Sequence, residues 1–264
     1  MSRYVMDTRA TEESRRLALL AAWADAGTMQ CLDAVNVRAG WSCLEVGAGA
    51  GSIATWLCDR VGPSGSVLAT DIDCRLLYPL DRPNFCVRQH DIVSDPLPEA
   101  AYDLIHARMV LGHLPARSQA MRSMTASLKP GGWLIIEDMD IASVVPACQT
   151  TREVTELFMK GSTALVRLLT AVGVDLEFGR HLHGELRSCN LVDISVEGRI
   201  SVVANGSPLA QFWQLTWQLL RPQFIGSGLL AERDVDEFIA LLGDGEFVWM
   251  APAIMAAWGR RRST

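Results

Sequence analysis

A chain of 264 residues with 49% hydrophobic and 20% charged residues has the apolar content for a sizeable core and too much of it for disorder. Its net charge of -6 and the lack of any long block of like charges argue against a phosphate-backbone partner, so nucleic acid is excluded. No apolar run approaches membrane length and the charged N-terminal residues lack a signal-peptide core, which excludes a membrane and points to a cytoplasmic location. The seven cysteines, an odd number with no C-x-x-C, read as reduced, packed thiols.

Residues 1 to 10 carry no pattern. Thr11, Glu12 and Glu13 make a capped, acidic helix start, and apolar residues at 17, 20, 21 and 24 form a stripe ending at Gly27. A second short helix follows over 28 to 36. Residues 1–36 thus form an N-terminal helical segment suited to a lid, with Tyr4 and Trp23 as aromatic surface. For Trp23 plain packing is the better reading.

Trp41, Cys43 and Leu44 then give a short apolar strand that meets Glu45 and the glycines at 47, 49 and 51. Glycine suits a turn where the backbone takes positive φ and a ligand lies directly against it. Ile53 to Val61 has helical spacing, so free N–H groups and the positive end of a helix dipole face that turn. No Gly-Lys-Ser/Thr follows, which excludes a Walker loop. The dinucleotide fingerprint wants its third glycine where Ser52 stands.

The second strand, Ser66 to Thr70, ends in Asp71-Ile72-Asp73. An acid at that tip can accept both hydroxyls of a ribose, and Asp71 lies 24 residues past Gly47, near the ~20 expected of a ribose acid. Asp73 reads as a helix cap. The third strand, Asn84 to Gln89, runs into His90-Asp91-Ile92, and the fourth is Tyr102 to Arg108. A helix over Ser118 to Leu128 ends at Lys129-Pro130-Gly131-Gly132, and Trp133 to Glu137 is the fifth strand, continuing into Asp138. This alternation predicts an α/β, doubly wound parallel sheet with helices on both faces. Ligands bind such sheets beyond the carboxyl ends of the strands, where Glu45, Asp71, Asp91, Arg108 and Asp138 all fall. Further on, helices are predicted over 150 to 172, 179 to 189, 208 to 220 and 231 to 242, with strands over 191 to 197 and 253 to 258.

E-V-G-A-G-A-G, the T-D-I-D tip, Q-H-D-I, Y-D-L-I-H-A-R followed by G-H-L, and L-K-P-G-G together resemble the class I S-adenosyl-L-methionine (SAM) methyltransferases over about residues 38 to 140. The likeness is greatest to small-molecule enzymes of the methyltransferase-domain 11/25 type, often found in secondary metabolism. It implies a Rossmann-like seven-stranded sheet whose last strand is antiparallel, SAM as cofactor and a small-molecule acceptor. The SAM-binding methyltransferase domain would span 37–264, with helical insertions at about 148–175 and 205–245 forming a cap. By the same resemblance, Glu45, Gly47, Ala48, Gly49 and Gly51 would hold the methionine part of SAM. Asp71 would take the ribose, Ile72 one face of the adenine, Asp91 the adenine amine with Ile92 against the ring, and Ala107 and Arg108 would border the methionine moiety. Some relatives carry a glutamine where Leu20 stands, so no contact is carried over there.

Methyl transfer from SAM chiefly requires alignment for in-line displacement, with a general base only where the acceptor must lose a proton. His113, past the fourth strand on the cofactor side, is the candidate base; a histidine satisfied by local hydrogen bonds is the plain alternative. His106, within the strand, reads as structural, and His181 and His183 point in different directions. Asp138 is a candidate for orienting the acceptor, and Asp140 a turn residue. No metal is expected, because His106 and Arg108 stand where metal-dependent relatives need an acid. Two other classes stay open: a SAM-binding enzyme with chemistry other than methylation, and an NAD(P)-dependent oxidoreductase, against which Ser52 and Glu45 speak. Trp213, Trp217, Trp249 and Met159 suit either an apolar acceptor pocket or ordinary core.

Overall fold

In the computed structural model the described residues are 10–146, 150–204 and 206–263. Tyr4 and Cys148 fall outside them. The first helix, α1, is Ala10–Ala34, one unbroken element. The helix end expected at Gly27 is absent: the helix runs on, and the glycine lets the Arg199 guanidinium approach closely, a Cβ there lying 2.6 Å from its Cζ. There follow β1 (Ser42–Val46), α2 (Ser52–Val61), β2 (Ser66–Asp71), β3 (Phe85–Gln89), β4 (Tyr102–Arg108), α3 (Arg117–Ser127) and β5 (Leu128–Asp140). The central strands β1 and β4 are apolar enough to be covered on both faces, as a parallel sheet requires, whereas the edge strand β3 is largely exposed. β5 begins five residues before Trp133, since Leu128 already pairs with Tyr102 and the Lys129–Gly132 stretch is absorbed in a register shift.

The rest comprises β6 (Val145–Pro146), α4 (Arg152–Ala171), α5 (Phe178–Ser188), β7 (Val192–Arg199), β8 (Val202–Val203), α6 (Pro208–Gly226), α7 (Glu232–Leu242), β9 (Trp249–Met250) and β10 (Ala253–Arg260). Seven strands form one sheet in the order β3-β2-β1-β4-β5-β10-β7. The first five run parallel, and β10 lies antiparallel between β5 and β7. The expected Rossmann-like sheet with an antiparallel last strand is therefore present. β6, β9 and β8 form a separate small sheet.

Three apolar clusters hold these layers. Beneath α3 and α5 lie Leu44, Ile105, Met121 and Phe178, and beneath α2 and the end of α1 lie Leu32, Cys43, Leu57 and Val67. The third unites α4, α6 and α7 into a cap rich in aromatic rings. Thr151 caps α4 by accepting from Val154 N, and Ser207 caps α6 by accepting from Ala210 N, with Pro208 in the first turn. α6 passes through Pro222, beyond the end expected at 220, because Phe224 on the far side is fully buried and stacks on Trp217 at 4.3 Å.

Candidate functional site

The turn between β1 and α2 lies at the carboxyl edge of the parallel strands. Gly47, Gly49 and Gly51 all have φ between 56° and 80°, so every second residue is left-handed. At Gly47 a side chain would also collide with Val110, and at Gly51 with Leu80. No side chain caps the N-terminus of α2. The turn is tied to the next strand by Ala48 N donating to the carbonyl of Thr70 (3.0 Å) and by Gly49 N donating to Asp71 Oδ2 (2.9 Å). Asp71 Oδ1 accepts from Asp73 N at 3.1 Å. Burial pushes the Asp71 carboxyl above the usual range, partly offset by these donors.

Ile72 beside it is half-exposed, an apolar face next to a carboxylate. Asp91 is exposed at the end of β3, with Oδ1 accepting from Val93 N at 2.9 Å. Ile92 is buried in the core with Met121, so its side chain is committed to packing. His90, which the sequence reading passed over, is buried with neither ring nitrogen hydrogen-bonded within the protein. Asp71, Ile72, Asp91 and the glycine turn thus share one rim. An apolar face, a carboxylate able to accept more hydrogen bonds and an uncapped helix start suit a nucleoside that ends in an amino acid, so the residues present fit SAM.

Arg108 and Glu45 also have partners within the protein. The Arg108 guanidinium pairs with Asp25 of α1 at 2.9 Å and donates to Thr28 Oγ1 at 2.8 Å. Ala107 is buried. Both oxygens of Glu45 lie within hydrogen-bond distance of His106 Nδ1, at 2.8 and 2.9 Å. Leu17 of α1 packs over the turn, 3.5 Å from where a Cβ of Gly49 would be. Trp23 is a packing residue, its Nε1 donating to Ser201 Oγ at 3.0 Å.

Past β4, Met109 takes φ 56°, rare for a residue with a side chain, and the chain turns through Leu111–His113. Burial, with the charge of Arg16 on α1 adding to it, lowers the pKa of His113, which keeps its imidazole neutral near pH 7. Both oxygens of Asp138 accept from backbone donors: Oδ2 from Gly112 N and Oδ1 from Met139 N, both at 2.9 Å. Burial pushes its carboxyl up to about 6. Asp140 receives two hydrogen bonds from Arg180, at 2.7 and 2.9 Å, and so latches β5 to α5. Trp213, Trp217 and Trp249 belong to the cap core. The cavity among Phe158, Ser162, Trp213, Trp217 and Phe238 measures about 20 Å³, room for one water.

A family model described as a methyltransferase domain matches residues 8–184. The chain is 36% identical over 142 residues to methyltransferase str2 of Strobilurus tenacellus, covering 53% of this chain and 49% of that protein. It is 31% identical over 113 residues to the ubiquinone/menaquinone biosynthesis C-methyltransferase UbiE of Hahella chejuensis, covering 40% and 45%. The chain spans about half the length of these curated relatives. In fold it is similar to Haemonchus contortus phosphoethanolamine N-methyltransferase 2, solved in complex with SAM, with a TM-score of 0.52 at 12% identity over 95% of this chain and 53% of that one. With the sheet order, the glycine turn and the family match in agreement, the chain belongs to the methyltransferase-domain family and has the class I SAM-dependent fold.

Proposed function

We propose that the chain methylates a small-molecule acceptor of secondary metabolism with SAM, at an oxygen or nitrogen atom. The observation that carries this is the Asp71–Gly49 hydrogen bond, which sets a ribose-type carboxylate against the glycine turn beside a half-exposed Ile72. The relatives named as methyltransferases support the reaction class.

SAM, when bound, supplies a methyl group activated on a sulfonium. Asp71 accepts from the ribose hydroxyls through lone pairs that Gly49 and Asp73 leave open, and Asp91 accepts from the adenine amine. Ile72 covers one face of the base and Ile92 supports the other side from the core. Glu45, Gly47, Ala48, Gly49 and Gly51 hold the amino-acid end, bordered by Ala107 and Arg108. The α1 helix, through Leu17, acts as a cover over this turn.

His113 is the group that takes a proton from a hydroxyl or amine acceptor, since its lowered pKa leaves it neutral and ready to accept one. Asp138 orients this step indirectly, by holding the Gly112–His113 turn. Incubation with SAM and candidate metabolites, read by mass spectrometry, tests the proposal. A gain of one CH₂ on oxygen or nitrogen is expected. Methylation on carbon contradicts the heteroatom reading, and a transformed metabolite with SAM intact contradicts methyl transfer.

A further inference from the structure

Beneath α1 a run of ionisable side chains crosses the sheet, stepping along the strands as it goes. Glu45 of β1 and His106 of β4 are register partners on adjacent parallel strands. His106 Nδ1 lies 2.8 and 2.9 Å from the two Glu45 oxygens, and its Nε2 lies 3.2 Å from Glu137 Oε1 on β5. Glu137 Oε2 accepts from Arg199 Nη2 on β7. The His106 and Glu137 side chains are 0% exposed and that of Glu45 is 5% exposed, so the ring is shielded from bulk solvent.

With both acids ionised, the hydrogen-bond chemistry sets the proton count. An ionised carboxylate only accepts, and a neutral imidazole has one N–H to give. A ring with carboxylates against both nitrogens needs a proton on each. With that proton the run reads minus, plus, minus, plus from Glu45 to Arg199 and sums to zero, which is how two carboxylates remain buried on either side of one ring.

We propose that His106 is held as an imidazolium and is a positioning residue for the cofactor, fixing the Glu45 carboxylate at the root of the glycine turn. Burial alone would lower its pKa, but the charges of Glu45 and Glu137 and their hydrogen bonds outweigh that and push it up to about 9. The other groups facing the run are Arg108 of β4 with its partners Asp25 and Thr28, and Cys31 and Glu197 around Arg199. His106 spends both N–H groups on the two acids, and each Glu45 oxygen keeps a further lone pair for a cationic group at the turn. The inference rests on the reading that Glu45 holds the amino-acid end of SAM.

Two measurements test it. In ¹⁵N-labelled full-length protein, the His106 ring nitrogens should both be protonated at pH 7 and titrate near pH 9; a singly protonated ring at pH 7 overturns the inference even if no variant folds. Calorimetric titration of S-adenosylhomocysteine into wild type, Glu45→Gln, His106→Asn and the double variant should show each single change weakening affinity about tenfold or more. The double variant should be no worse than the poorer single one. A merely structural histidine would lower the melting temperature and leave the dissociation constant alone, and that result overturns the positioning role. Wild-type affinity in Glu45→Gln removes the Glu45 assignment and this inference with it, while SAM binding through Asp71 stands. No binding by the wild type at all removes the proposed function instead, leaving the ring's proton count to the first measurement.

Discussion

The Asp138 carboxylate accepts the backbone N–H of Gly112 at 2.9 Å, and a Cβ on residue 112 would lie 3.1 Å from Oδ1 of the same carboxylate. The fifth strand and the His113 turn are thus locked together at a point where a methyl group would force the carboxylate to shift by a few tenths of an ångström. Gly112→Ala should destabilise the protein by about 1–3 kcal/mol, the usual cost of overpacking, measured by urea unfolding. It should also lower methyl-transfer turnover more than SAM affinity, because the shifted group is the candidate base.

Asp71 offers a second test. Removing the carboxylate deletes charge-assisted hydrogen bonds of about 1.5–3 kcal/mol, so Asp71→Ala should weaken SAM and S-adenosylhomocysteine by about 10- to 100-fold. In thermal-shift assays both compounds should stabilise wild type, NAD should not, and the shift should shrink sharply in the variant. An unchanged shift in Asp71→Ala would remove the ribose assignment.

The buried run sets a pH window for stability. His106, raised from 6.5 to about 9, contributes stability that is fully present below pH 6.5 and lost as pH rises through about 9. Glu137 is also buried, which alone would raise its pKa, but its bonds and attraction to His106 bring it from 4.5 down to about 2. Its contribution is therefore present above pH 4.5 and lost as pH falls toward 2. Urea midpoints should form a plateau between these limits, and His106→Asn should abolish the alkaline decline. Glu137→Ala breaks a buried ion pair and should cost about 3–5 kcal/mol at pH 7.

What the sequence disclosed follows from what is local. The strand, glycine turn and helix from residue 42 to 61, and the acids at 71 and 91, are written in consecutive residues whose spacing has a direct geometric meaning. The run from Glu45 to Arg199 is spread over 155 positions and exists only once β1, β4, β5, β10 and β7 are assembled in one sheet. Its one trace in the chain is a polar residue inside an apolar strand, His106 after Leu104 and Ile105 and before Ala107. Gly27 misled for a related reason: its local meaning is a helix stop, while its use is close approach to a residue 172 positions away. The aromatic stripe of α6 suited pocket or core equally until the cap was assembled around it.

That stripe gives a further prediction. Trp217 is fully buried between Phe224 and Phe238, with ring centroids 4.3 and 4.0 Å away. Trp217→Ala should cost about 3–5 kcal/mol, read as a lowered urea midpoint. Wild-type stability in this variant would mean the cap is not packed as described.

The most direct test of a SAM site at this rim is a crystal structure grown with S-adenosylhomocysteine. Its ribose is expected on the Asp71 carboxylate, its adenine over Ile72 near Asp91, and its amino-acid end on the 45–51 turn. Density for the compound anywhere else, or a rim left empty at saturating concentration, would contradict the account.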